Sequence, residues 1–311
     1  MLETKQTVMI EFHSITPKDR ARYEAALFRG EERGCEVSFS NVYLWGNQKM
    51  AVLHGHLVLL SQFGNRFVYP YPIGEGEKKA VLDAIIADAK ARGIPCCITG
   101  LNSKARETVE MLYPRQFHFV CDEGSFDYVY AIDDLADLKG KPYDGKRNHL
   151  NRFREAYPDH TVQPLSADNM ERVRWMVADW YRTRREKNPD SVSRTEQAAL
   201  GKALDQYSDL GLEGLALCNR EDVLAVTVGS PMSPDTFDVH FEKARADVQG
   251  AYAAINCEFA RYIRAKHPHI RFLNREEDMG IEGLRRAKQS YHPHHRVKKY
   301  RAHLLEDGYE N

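Results

Sequence analysis

The chain has 311 residues, 44 Lys and Arg against 45 Asp and Glu, and a formal net charge of −1. That length is long for one core, so two domains are expected. The charge balance excludes a protein drawn by its overall field to nucleic acid or an anionic membrane.

The six cysteines (Cys35, Cys96, Cys97, Cys121, Cys218 and Cys257) form no CxxC pair. They read as reduced thiols of a cytoplasmic protein. The start, MLETKQ, lacks the basic and apolar regions of a signal peptide. The longest apolar runs, near 57–60 and 215–217, are too short to span a bilayer.

Residues 8–15 alternate and predict a strand. Thr16 and Pro17 then open a helix as N-cap and first helical residue. Residues 39–45 are aromatic and read as irregular. Residues 50–60 and 67–71 read as strands joined by a turn at Gly64 and Asn65. A helix over 77–92 is predicted from Val81, Leu82, Ile85, Ile86 and Ala89 on one face, ending at Gly93. A buried strand over 94–99, a helix over 104–112, and strands over 117–121 and 127–132 complete the first half.

Residues 133–160 form a connector broken by Gly140, Pro142 and Gly145, then a basic helix. Leu150, Phe153 and Tyr157 share one of its faces. The second half repeats the scheme: a strand over 161–165, a helix capped by Ser166, a helix over 194–208, and strands over 212–219, 223–230 and 237–243. A helix then runs from Gly250 to about Lys266, followed by a strand over 269–274. A charged block, a last strand or extended arm to about Tyr300, and a frayed tail over 305–311 end the chain.

The expected architecture is α/β (α+β mixed sheet), with two tandem GNAT-like lobes, the element order of acyl-CoA N-acyltransferases. The N-terminal lobe is placed at 1–140. The C-terminal lobe, at 141–311, carries the active cleft, with 141–160 as its basic connector helix.

Two blocks carry a more specific signal: KPYDGKRNHLNRF at 141–153 and NREEDMGIEGLRRAKQSYHP at 274–293. Leu284, Lys288, Tyr291, Pro293 and a later Tyr300 resemble the LxxxK-x-x-[F/Y]-x-P … Y ending of the bacterial phosphatidylglycerol lysyltransferase catalytic domain. The whole layout looks like that domain's soluble relatives, which are similar in fold to Fem-type peptidoglycan aminoacyltransferases. The resemblance implies transfer of an acyl or aminoacyl group to an amine or hydroxyl. In the lysyltransferase the donor is an aminoacyl-tRNA and the acceptor a lipid headgroup.

Two departures bear on that expectation. The lysyltransferase's large membrane region is not found here, which argues against a lipid acceptor. The pyrophosphate loop [Q/R]-x-x-G-x-[G/A] is also not met. Residues 245–251 read RADVQGA, leaving Gly250 and a helix N-terminus as the phosphate-binding remnant.

Acyl transfer needs a positioned donor, a stabilised oxyanion and a proton acceptor. His240 and Glu242 alternate on a strand, so both are expected on one face as an acid–base pair. Glu277 and Asp278 are further catalytic candidates at a strand end. Donor or substrate binding is assigned to Lys146, Arg147, Asn148, Asn151, Gly250, Asn274, Arg275, Glu276, Arg285 and Lys288. No metal is expected, because the HPHH run at 292–295 lacks a fourth ligand.

No tightly bound cofactor is expected. The donor is acyl-CoA or aminoacyl-tRNA, with tRNA and a small-molecule acceptor as partners. Two other readings stand beside this one: a non-catalytic module sensing a small charged metabolite, and a conventional acyl-CoA-dependent N-acetyltransferase.

Overall fold

A computed structural model describes residues 9–29, 33–188 and 193–305. In chain order the first elements are β1 (His13–Ser14), α1 (Arg20–Leu27), α2 (Phe39–Leu44), β2 (Asn47–Leu53), β3 (His56–Phe63), β4 (Arg66–Pro70), α3 (Lys79–Arg92), β5 (Cys97–Leu101), α4 (Ser103–Leu112) and β6 (Phe117–Cys121). Then follow β7 (Asp127–Ala131), α5 (Ile132–Asp137), α6 (Asp144–Ala156), β8 (Thr161–Pro164), α7 (Ala167–Lys187), α8 (Arg194–Asp205), β9 (Glu213–Asn219), β10 (Asp222–Pro231) and β11 (Thr236–Ala244). The last are α9 (Ala251–Lys266), β12 (Phe272–Asn274), α10 (Glu282–Gln289), β13 (His295–Val297) and β14 (Tyr300–Leu304).

The chain divides into two compact units: one up to Phe126 together with the residues from Val297, the other Asp127–Arg296. The first holds a seven-stranded sheet of order β1-β2-β3-β4-β5-β14-β6. Strands β2, β3 and β4 form an antiparallel meander, and β4 runs parallel to β5 across the α3 crossover. Val81, Leu82, Ile85 and Ala89 are buried along one face of α3, and Gly93, at φ 65°, ends it. A left-handed residue at that position costs least as glycine.

Three local expectations change. The single strand read over 50–60 is two strands, because His54 and Gly55 both take positive φ between the paired Leu53 and His56. That is the two-residue turn matching the twist of a hairpin. Residues 39–45 are not irregular: α2 starts at Ser38, whose side chain accepts from the Asn41 N–H. The strand read over 8–15 is reduced to β1, with residue 8 outside the described residues, as is the tail beyond residue 305.

The second unit holds a sheet of order β8-β9-β10-β11-β12-β7-β13. The plan repeats: an antiparallel run, β11 parallel to β12, and α9 as the crossover between them. The slot after the parallel pair is filled in the first sheet by β14 and in the second by β7. The units therefore part at residues 126 and 127 rather than 140 and 141, and the last strand returns to the first sheet. Burial explains the shift. Tyr128, Val129 and Tyr130 of β7 are buried beside β12, and Ala302 of β14 is fully buried between β5 and β6.

Two features of β11 shape the second unit. Val228 pairs with Phe241 and Gly229 with Val239, so His240 is an extra residue in the ladder, a β-bulge. Before it, Phe237 and Val239 enter the core under α9; after it, Ala244 does. The bulge reverses the alternation. The second feature is a parting of strands. Pairing of β11 with β12 stops at Asp238 and Asn274, while β11 continues to Ala244.

Candidate active site

On the α9 side of that parting lies a buried ion pair. Arg275 Nη2 stands 2.9 Å from Glu242 Oε1, and their side chains are only 14% and 11% exposed. Asn256 of α9 donates to the other Glu242 oxygen at 3.3 Å. Thr227, fully buried, is the cross-strand neighbour of Glu242. The Arg275 guanidinium lies over the rings of Tyr291 and Tyr130, 4.9 and 5.7 Å from their centroids. Burial works against the charge on Arg275, but the Glu242 carboxylate overcomes it and holds its pKa above the usual arginine value.

Three polar atoms here are buried without a hydrogen-bond partner among the described residues: Arg275 Nη1, Asn256 Oδ1 and Thr227 Oγ1. An unmet donor and unmet acceptors at one buried place are costly unless a ligand meets them. Lys146 stands close by, its Nζ 2.6 Å from Ser290 Oγ and 4.0 Å from the Tyr291 ring centroid. Burial, then the Arg275 charge, pushes the Lys146 amine down.

The loop after β12 is held from several directions. Asn274 is fully buried, donates to Asp127 Oδ2 and accepts the Glu276 N–H. Lys288 of α10 donates to the carbonyls of Arg275 and Glu277. Asp278 accepts from the Tyr128 hydroxyl at 2.6 Å, Arg285 Nε at 2.9 Å and the Gly280 N–H at 2.8 Å. Burial pushes the Asp278 carboxyl up, but Arg285, Tyr128 and Gly280 together bring it down to about 2.

These contacts revise several expected roles. Asp278 is a saturated acceptor with a depressed pKa, which is the wrong poise for a general base near neutral pH. Arg285 is engaged by Asp278, and Lys288 by backbone carbonyls, so both brace the loop. The Lys288 contact with Glu277 is to its backbone carbonyl and does not revise the role expected of its carboxylate. His240 and Glu242, expected on one face, lie on opposite faces because of the bulge, so they form no acid–base pair. His240 instead faces Ser230, Asp238 and Glu276.

The basic connector divides similarly. Arg147 donates to the carbonyls of Leu138 and Gly140 and pairs with Asp144. Asn148 and Asn151 are exposed. Gly250 has φ 82°, and a Cβ there would lie 2.2 Å from the His149 carbonyl oxygen. The glycine thus admits α6 against the start of α9, where a side chain would meet the His149 carbonyl and Phe153. Sequence reading missed Thr227, Asn256, Tyr130 and Asp238. Asn256 carried the one available signal, a polar residue among the inward positions of a predicted helix.

The profile of the family described as phosphatidylglycerol lysyltransferase, C-terminal, matches residues 28–303. The chain belongs to this family. At the family level the chemistry is acyl or aminoacyl transfer. A conserved protein of unknown function from Bacteroides thetaiotaomicron is 39% identical, with a TM-score of 0.90 over 96% of this chain and 100% of that one. L-PGS from Bacillus licheniformis is 15% identical, with a TM-score of 0.68 over 94% and 93%. FemX is 10% identical, with a TM-score of 0.64 over 95% and 98%. The last two show the fold alone: tandem GNAT-like and Fem-like. An uncharacterised protein of Mycoplasmoides gallisepticum is 23% identical over 182 residues, 58% of this chain and 57% of that relative, so the match spans little more than half its length. Among the described residues no helix is long and apolar enough to cross a membrane.

Proposed function

We propose that the second unit of this lysyltransferase-family chain transfers an aminoacyl group from an aminoacyl-tRNA to a small amine or hydroxyl acceptor. The observation that carries the reading is the buried Glu242–Arg275 pair, with Arg275 Nη1 unmet where β11 and β12 part. A fixed guanidinium N–H in a water-poor site suits the carbonyl oxygen of an ester that gains negative charge on attack. Glu242 and Asn256 Oδ1 are acceptors suited to the ammonium group of an aminoacyl moiety.

One observation favours an aminoacyl ester over acyl-CoA. The pyrophosphate loop of acyl-CoA enzymes is not met at 245–251. The separation of His240 from Glu242 leaves the proton acceptor to the acceptor substrate or its solvent, and supports the binding-module reading to that extent.

The test is a side-by-side titration of the purified protein with acetyl-CoA and with bacterial aminoacyl-tRNA at two salt concentrations. The proposal expects saturable tRNA binding that weakens with salt and no CoA binding. Tight CoA binding would return the chain to the N-acetyltransferases, and binding of neither would favour the metabolite-sensing module.

A further inference from the structure

On the face of β11 opposite Glu242, the bulge turns His240 toward two carboxylates. His240 Nδ1 lies 3.4 Å from Asp238 Oδ2 and 3.5 Å from Glu276 Oε1. One ligand atom from each of the three residues lies within 4.8 Å of the others. The Asp238 and His240 side chains are fully buried and that of Glu276 is 20% exposed. We propose that Asp238, His240 and Glu276 form a three-ligand site for a divalent transition-metal cation such as Zn²⁺, tying the β11 bulge to the loop that carries Arg275.

The cluster is more than two neighbouring carboxylates. Among the described residues, His240 Nδ1 is buried without a hydrogen-bond partner, and it points into the cluster. The ring's other nitrogen, Nε2, lies 2.8 Å from Ser230 Oγ. A ligating histidine commonly donates its second ring N–H to an oxygen, which fixes the tautomer and leaves a lone pair on the first nitrogen. Ser230 can take that part here.

Spacing fits as well. Ligands about 2.0–2.1 Å from a tetrahedral ion stand about 3.4 Å from one another, close to the two separations measured from Nδ1. Carboxylate donors set beside an imidazole nitrogen suit a divalent cation. One imidazole with two carboxylates suits Zn²⁺ or Mn²⁺ better than a thiolate-seeking ion. The HPHH run lacks a fourth ligand, whereas this cluster joins a strand bulge to a loop 36 residues on, a spacing no short motif displays.

The experiment strips the full-length protein with a chelator, adds Zn²⁺ or Mn²⁺ alone, and measures bound metal by mass spectrometry and melting temperature by calorimetry. One equivalent should bind and raise the melting temperature. Glu276→Gln and Asp238→Asn should each weaken binding by at least about tenfold. A His294→Ala/His295→Ala control should bind as wild type, since neither histidine is a member of the three-ligand cluster. X-ray absorption of the Zn²⁺-loaded wild type needs no variant and should show nitrogen and oxygen neighbours only.

Unchanged uptake in Glu276→Gln, sulfur in the first shell, or no uptake of either ion would overturn the site. A doubly protonated His240 seen by NMR in metal-treated protein would do the same, since it would show an imidazolium shared between the two carboxylates. The outcome is independent of which donor the opposite face accepts.

Discussion

Glu242 and Arg275 meet at 2.9 Å across the gap that opens where β12 ends and β11 continues. Neither residue is near the other in sequence. The bulge at His240 brings Glu242 to the α9 face, and the loop braced by Asp278 and Lys288 delivers Arg275. The pair is therefore a readout of both devices.

Removing one partner of a buried ion pair leaves the other charge uncompensated. Glu242→Gln is expected to lower stability by about 3 kcal/mol, read as a shift of the urea midpoint with unchanged slope. Transfer should fall more than stability accounts for when assayed well below the melting temperature. A variant as stable as wild type would mean that Arg275 finds another partner.

The Asp278 clamp gives a pH signature. Its carboxyl is held from 3.8 down to about 2 in the folded protein. A depressed acid contributes stability that is full above the unfolded pKa and is lost as pH falls through the folded one, about 2 kcal/mol here. Asp278→Asn should therefore be less stable than wild type at neutral pH, with the gap closing between about pH 4 and pH 2. Arg285→Ala should also lower the melting temperature, in contrast to a pure ligand-binding arginine. An Arg285→Ala protein that melts normally but binds donor poorly would reverse that assignment.

Gly250→Ala places a methyl group against the His149 carbonyl at a positive φ. We expect a loss of about 2 kcal/mol or more, with donor affinity little changed in the surviving folded protein. Normal stability with a large loss of donor affinity would instead make Gly250 a phosphate cradle.

Much of the fold was legible because periodicity is local. The helix ending at Lys266 and the strand over 117–121 end where their sequence patterns end. The exchange of β7 and β14 was not legible, since a buried strand reads the same whichever sheet it joins. The charged blocks drew attention to the region where the candidate site is placed. The roles within it were not legible, for two reasons. Alternation places His240 and Glu242 together only if no residue is inserted, and no residue type announces the bulge. The charges at 285 and 288 looked free because their partners, Asp278 and two backbone carbonyls, are set by tertiary folding.

The most direct test of the account is discharge of labelled aminoacyl-tRNA, in single turnover, by wild-type protein and by Arg275→Lys. Lysine keeps the charge but loses the fork that meets Glu242 with one nitrogen and leaves another for the substrate. The account predicts discharge by wild type and a loss of about 100-fold or more in Arg275→Lys, with tRNA affinity and folding retained. Equal discharge by a folded Arg275→Lys protein would contradict it.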